Sequence, residues 1–559
     1  MPDDSDKAKP EAEAAQSEEA SPGRQGLAAA AALMVTAVFL SAVTGLIRVM
    51  LLNWQFGIEG QVNAYVQAFR IPDFIYFLMA GGALRTGFVP VFTEYIARNR
   101  AAQAWKTFSS TLWLLVIFGT ILTGLGIIFA PYLARLVAPG WVDSHPDLLD
   151  LCVWIMRVMF PAQIFFVIGG LLMGTLNALK HFLWPAAGPI IYNLVIISAI
   201  LVAGRLEDVS IIAYGVVLGA LLGSLLVQIP PLRRLGGRLL MLLDPGDEGM
   251  HRVIKLALPI VFGLAVAEIN LIITTALATK VDPTHGPMIL EDANRLWKLP
   301  TRVFGAGIAI ALFPTLAEHY ATGALAAFRR DFSFGMRNTL FLVVPSAVGI
   351  MVLRYPIVRL LLERGQFTAE ATGLVADALL WFGPGIVGLA AVYILARTFY
   401  ARHDTVTPVW VGAISISICL AAALPLMGVM QVSGLALATS VSAIANATML
   451  MWILHRRVAG LVGPQMVSSA AKLVLPTAAL GVICWGTMVA SQYYLGTASL
   501  AARLVNVLLP MSLGTVVFIG LAALLKMDEL RSASRLIRRR FSGRGGSQPA
   551  EDVQASDGM

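Results

Sequence analysis

The sequence runs to 559 residues, 57% of them hydrophobic and only 13% charged, whereas an ordinary soluble domain carries roughly a quarter charged residues. With a mean hydropathy of +0.76, such a chain excludes a water-soluble globule. The net charge of +8 is concentrated in loops and a C-terminal segment, and three cysteines far apart in sequence exclude a disulfide framework or a zinc site.

Residues 1–25 are acidic and Ala-rich, with no apolar periodicity and no basic segment before the first apolar run. They read as a disordered tail rather than a signal peptide. Apolar stretches of about 20 residues or more then recur, each long enough to cross roughly 30 Å of hydrocarbon as a helix. An unpaired backbone group is too costly in lipid for open structure. The expected fold is therefore an all-α polytopic membrane protein with about fourteen transmembrane helices. The spans are 27–52, 61–90, 104–129, 149–179, 184–203, 209–230, 251–279, 293–319, 329–353, 373–400, 406–427, 433–455, 468–491 and 500–526.

Loops after even-numbered spans hold Arg98, Arg100, Lys106, Lys180, Arg233, Arg234, Arg238, Arg329, Arg330, Arg402, Arg456 and Arg457, and the opposite loops hold few basic residues. The positive-inside rule places both termini in the cytoplasm. The tail 527–559 opens with Arg531, Arg535, Arg538, Arg539 and Arg540; beside a membrane, this reads as an attraction to anionic lipids and not as a nucleic-acid site.

Prolines of the two halves match at offsets of 223 to 228 residues: Pro72 with Pro300, Pro90 with Pro314, Pro131 with Pro356, Pro161 with Pro384, and Pro185 with Pro408. The spacing from Pro131 to Gly140 also equals that from Pro356 to Gly365. Six spans per period make two parallel repeats, an N-lobe at 26–230 and a C-lobe at 251–457. A cytoplasmic loop at 231–250 joins them, and two further helices occupy 458–526. Parallel repeats of this kind suit alternating access, with the substrate path between the lobes.

Ionisable residues inside spans are expensive and usually functional. Most here are positive: Arg48 in the first span, Arg70 and Arg85 in the second, Arg157 in the fourth, and Arg295, Lys298 and Arg302 in the eighth at helical spacing. Guanidinium presents a planar fork of donors that suits phosphate, so the cargo is expected to be anionic. The candidate substrate-binding residues are Arg48, Arg70, Arg295, Arg85, Lys298 and Arg302; the alternative for each is a side chain reaching the headgroups. Glu268 and Asn270 in the seventh span and Asn446 in the twelfth offer oxygens for coupling to Na⁺ or to a proton, with an internal salt bridge as the alternative for Glu268. No cofactor, catalytic constellation or metal site is readable. Gly305-Ala-Gly307 and Gly124-Leu-Gly126 lie inside apolar helices and not at a strand-to-helix turn.

The second-span text AFRIPDFIYFLMAGGALRTGFVPVFTEY resembles the MurJ/MviN family of bacterial lipid II flippases, within the multidrug/oligosaccharidyl-lipid/polysaccharide exporter superfamily. So do Ser41-x-x-x-Gly45-x-x-Arg48, NRLWKLPTRVFGAGIAIALFPTLAEHYA, RGQFTAE at 364–370 and FYARHDTVTPV at 399–409. The resemblance implies a non-enzymatic transporter of the bacterial cytoplasmic (inner) membrane, serving peptidoglycan synthesis. Its expected cargo is a polyprenyl-diphosphate-linked sugar, lipid II, gripped by Arg48, Arg70 and Arg295. Expected partners are that glycan lipid, anionic membrane lipids and cell-wall synthesis proteins. A flippase for another lipid-linked glycan and a transport-dead cell-wall scaffold are the other readings. The chain departs from the family pattern at Ala42, Asn63, Tyr76, Gly81 and Lys298.

Overall fold

The computed structural model describes residues 24–78, 84–237 and 244–530, with the backbone alone described at 24–35, 84–86 and 259–267. Gly81, the Arg85 side chain and the basic tail from Arg531 onward lie outside the described residues. The described residues are mostly helical, with short turns between helices and no strand among them.

In chain order the helices are α1 (Arg24–Phe56), α2 (Gln61–Tyr76), α3 (Leu84–Ala97), α4 (Ala101–Val137), α5 (Trp141–Ser144), α6 (Pro146–Met159), α7 (Ala162–Ala178), α8 (Leu183–Leu206), α9 (Ile211–Gly219), α10 (Ile229–Arg234) and α11 (Glu248–Val281). There follow α12 (Gly286–Pro300), α13 (Gly307–Ala321), α14 (Leu325–Val352), α15 (Arg354–Leu361), α16 (Ala369–Ala401), α17 (Val406–Arg457), α18 (Pro464–Leu495) and α19 (Leu500–Leu524).

Eleven stretches among the described residues are long and apolar enough to cross a membrane. One of them, α17, is two helices joined at Gln431, whose φ of 52° breaks the α-helical path. Residues 61–97 and α11, each interrupted by positions outside the full description, are the second and seventh spans read from the sequence. Splitting α17 and adding these two brings the eleven to the expected fourteen.

The matched prolines act through backbone geometry. A proline inside a helix removes one hydrogen bond and clashes with the preceding turn. Beyond Pro72 the helix turns π-helical at 77–78. Directly after Pro300, Thr301–Ala306 is π-helical. Pro161 separates α6 from α7, while its counterpart Pro384 lies inside the continuous α16. Pro185 and Pro408 sit in the first turns of α8 and α17, where a missing N–H costs nothing.

Contacts divide the chain into two units. One holds Met1–Leu296, Val358–Phe382 and Thr405–Asn446, and the other Trp297–Ile357, Gly383–Asp404 and Ala447–Met559. In the first, Phe88 and Phe92 of α3 and Trp105 and Phe108 of α4 form a chain of ring contacts at 5.3–6.3 Å. Around them lie buried Leu171, Leu172 and Leu176 of α7. The segment before α11 is tied to α4, with Lys106 to Asp244 at 2.7 Å and Gln103 to Asp247 at 2.9 Å. Asp247 also caps α11 by accepting from Met250 N at 2.8 Å.

In the second unit, α18 and α19 pack on α14 through Phe341, Leu473, Leu480, Cys484, Phe518 and Ala522. Arg337 reaches Glu529 at 3.4 Å and Ser469 donates to the same carboxylate at 2.8 Å. Cys152, Cys419 and Cys484 are all free and buried.

Candidate functional site

Charged side chains converge in the first unit among helices otherwise built of apolar residues. Arg70 of α2 donates to Glu291 of α12 at 2.6 Å, and Arg295, one turn further along α12, donates to the same carboxylate at 2.8 Å. Arg295 also lies 3.7 Å from Asp292, whose side chain is fully buried and accepts from Asn53 of α1 at 3.2 Å. The Arg48 guanidinium faces the Tyr192 ring of α8 at 5.8 Å, within the range of a cation–π contact. Tyr65 sits in the fields of Arg48, Arg295, Glu291 and Asp73, and Asp73 in those of Glu268, Arg70, Glu291 and Arg48.

Three arginines thus share the cluster with Asp73, Glu268, Glu291 and Asp292. Buried polar atoms with no hydrogen-bond partner among the described residues remain: Nε of Arg70, Nη1 of Arg295 and Oδ2 of Asp292. An unsatisfied buried donor carries a free-energy cost that an entering acceptor can relieve.

Next to this cluster, the ends of the helices are stitched together. Asn63 donates to the carbonyls of Ile58 (2.8 Å) and Thr284, and its own carbonyl accepts from Met288 N at 2.9 Å. Gln67 donates to Val137 O at 2.6 Å and Thr275 O at 3.0 Å, and Trp141 Nε1 to Pro283 O at 2.7 Å.

Two glycine contacts follow the internal repeat. Gly140 lies so close to the Thr279 backbone at the end of α11 that an added Cβ would overlap its carbonyl. Gly365, with φ of +58°, lies equally close to Trp54 at the end of α1, and Gln366 N donates to Trp54 O at 3.0 Å. Gly140 and Gly365 are 225 residues apart, as are Trp54 and Thr279, so each repeat packs a loop against the first helix of the other. Beside the Trp54–Gly365 contact lies a cavity of about 570 Å³, lined by residues that include Trp54, Glu59, Glu207, His285 and Glu370.

Of the residues singled out from the sequence, Arg48, Arg70 and Arg295 come together here. Lys298 and Arg302 belong to the second unit. Arg302 is exposed within the π-helical stretch, where the 3.6-residue spacing behind the shared face no longer holds. The Lys298 carbonyl accepts from Thr301 Oγ1 at 2.8 Å. Asn446 donates to Ser415 Oγ at 3.3 Å, and no described bond joins it to Glu268 or Asn270. The Asn270 side-chain carbonyl is buried without a donor.

Glu291, Asp292, Asn53, Tyr65 and Gln67 were not singled out. The eighth span was read from 293, whereas the helix begins at Gly286, which left both carboxylates in an apparent loop. Their i,i+4 and i,i+3 spacing to Arg295 was the available signal. The family departures also have places. Asn63 is wholly buried in the stitching, Tyr76 packs on Phe166 at 4.8 Å, and Ala42 is exposed.

A family model described as "Lipid II flippase MurJ" matches residues 52–506. The lipid II flippase MurJ of Burkholderia cenocepacia is 32% identical over 434 residues, covering 75% of this chain and 82% of the relative. A probable lipid II flippase MurJ of Haemophilus influenzae is 31% identical over 74% of this chain and 83% of its own length.

Among solved structures, a lipid II flippase MurJ in an inward closed conformation superposes with a TM-score of 0.72 at 20% identity, over 89% of this chain and 99% of that one. An inward-facing multidrug resistance MATE transporter of the MOP superfamily gives 0.64 at 14% identity, over 77% and 98%. These structures share the fold of a multi-pass helical membrane transporter. By family model, by relatives matched over most of their length and by fold, the chain belongs to the MurJ family of lipid II flippases.

Proposed function

We infer that the chain is a lipid II flippase, a transporter and not an enzyme, carrying a polyprenyl-diphosphate-linked sugar precursor across the membrane by alternating access. Family membership supports the cargo, and the observation that carries the mechanism is the sharing of Glu291 by Arg70 and Arg295. A diphosphate cannot enter hydrocarbon unaided, because transferring an ion from water to an apolar medium is prohibitive. Arg70 and Arg295, with Arg48 nearby, supply charge-assisted donors in a setting where such bonds are strong. In this proposal Glu291 holds the two guanidinium groups while no cargo is bound, and diphosphate oxygens take its place on arrival. Exchanging one anionic acceptor for another avoids leaving charge unpaired at any step.

The loop arginines support an orientation with both termini in the cytoplasm. The stitched end then faces outward, and the cargo enters from the other side. Release requires the Asn63, Gln67, Gly140 and Gly365 contacts to part. Coupling to Na⁺ or to a proton is assigned to Glu268 and Asn270 on α11, with Asn446 as a third oxygen donor. The basic tail is assigned to anionic lipid, and cell-wall synthesis proteins are the proposed protein partners.

The deciding experiment is complementation of a bacterium depleted of its own lipid II flippase. Rescue is expected from the wild-type chain, and loss of rescue from Arg70→Gln or Arg295→Gln at equal membrane abundance. Failure of the wild-type chain to rescue despite membrane insertion would remove the lipid II assignment, and normal rescue by both variants would remove the arginine mechanism.

A further inference from the structure

At the ends of α13, α14, α16 and α17 in the second unit, well apart in sequence from Arg48 and Arg70, arginines gather around an aromatic shelf. The Arg402 guanidinium lies over the Tyr320 ring at 5.6 Å, and that ring also meets Phe328 and His403 at 6.3 and 6.4 Å. Nε and Nη1 of Arg402, Nε of Arg397 and Nε of Arg329 are buried with no acceptor among the described residues. Arg329 extends toward Gly460, where an added Cβ would stand 3.6 Å from its Nη1.

The nearby carboxylates are committed elsewhere. Asp331 takes His319 at 2.9 Å and Arg330 at 3.5 Å, and Asp404 takes Arg457. Glu318, at the end of α13, is exposed to solvent. Positive charge therefore exceeds negative among the described residues at this end, and some of its donors meet no acceptor among them.

We propose that Arg329 and Arg402, with Arg397 behind them, form a second anion site that binds the phosphate of a membrane lipid or another phosphate ester at the interface. Stacking on Tyr320 holds the Arg402 guanidinium flat and limits the rotamer freedom that would be lost when its edge engages a planar or tetrahedral oxyanion. The depth fits a headgroup. Tyr400 and Trp452, both exposed, stand on the same helix ends, and Arg456 stacks on Trp452 at 4.9 Å; exposed Tyr and Trp mark the headgroup level. Only the choice of leaflet, the cytoplasmic one, rests on the orientation proposed above. The site itself does not depend on the flippase reading.

The test uses the full chain in detergent with three probes: dioctanoyl phosphatidylglycerol, dioctanoyl phosphatidylcholine and sodium pyrophosphate, followed by hydrogen exchange at 325–331 and 397–404. Phosphatidylglycerol is expected to slow exchange in both segments, phosphatidylcholine to do so more weakly, and the Arg329→Gln/Arg402→Gln variant to need about tenfold more lipid, as loss of charge-assisted hydrogen bonds requires. Equal protection by pyrophosphate would keep the site and assign it to a soluble phosphate or to the cargo's own diphosphate. Absence of protection with every probe, or the same half-saturating concentration in wild type and double variant, would overturn the proposal. If the double variant does not fold, exchange in the wild-type chain still decides.

Discussion

Arg70 and Glu291 Oε2 meet at 2.6 Å with side chains only 9% and 13% exposed, and Arg295 completes the arrangement at the other carboxylate oxygen, Oε1, at 2.8 Å. Glu291→Gln removes the charge that both guanidinium groups share. Breaking one side of a buried pair costs about 3 kcal/mol or more, so a marked fall in unfolding temperature is expected, together with loss of transport. In an Arg70→Gln background the same change should cost much less. Equal costs in the two backgrounds would show that the pair is not coupled.

Asn63 is wholly buried and uses its amide to donate to two carbonyls and to accept from Met288 N. Asn63→Asp keeps the acceptor and sets negative charge against the Ile58 and Thr284 oxygens. A destabilisation of about 2 kcal/mol is expected, read by thermal unfolding at neutral pH. A variant as stable as wild type would mean that these bonds contribute little.

The two glycine contacts predict a graded opening. Gly140→Ala drives a methyl group into the Thr279 carbonyl, and Gly365→Ala does the same at Trp54 while adding the strain of a positive φ. Each should raise labelling by a membrane-impermeant maleimide at Ala64→Cys, a position that is wholly buried in α2. The double variant should raise it by more than the two single effects combined. Unchanged labelling in all three would dismiss the glycines as part of the seal.

At the segment before α11, the hydrogen bond from Lys106 and then the Gly246 N–H hold the Asp244 carboxyl below its ordinary value of 3.8. A depressed folded-state value means that the tie is fully present above the ordinary carboxylate range and is lost as pH falls through the depressed value. Protection against hydrogen exchange at 244–247, taken relative to the intrinsic rate at each pH, should therefore be high at pH 7 and fall below about pH 3.8. Asp244→Asn should show low protection at both pH values, and a wild-type protection factor independent of pH would sink the assignment.

Much of this was legible in the chain because lipid leaves few choices: long apolar runs must be helices, and matched prolines mark equivalent bends. Arg48, Arg70 and Arg295 stood out because charge inside an apolar span is conspicuous. Glu291 and Asp292 did not, since they lie in the second turn of a helix whose short apolar first turn is followed by polar residues, and a hydropathy reading starts late at such an end. Asn63 and Gln67 were hidden for another reason. Their partners are backbone atoms of Ile58, Val137, Thr275 and Thr284, and a carbonyl has no letter in a sequence. The equal spacing from each proline to Gly140 and Gly365 was visible, but the carbonyls that those glycines admit were not.

The paired glycine contacts make the seal a lock with two bolts, each thrown by one copy of the duplicated unit into the other. Drawing one bolt leaves the other in place, so a fluctuation in a single repeat loosens the barrier without removing it. In the proposed cycle full passage then requires both to be drawn together, so the duplication that doubled the fold would also have given it a safeguard against leakage.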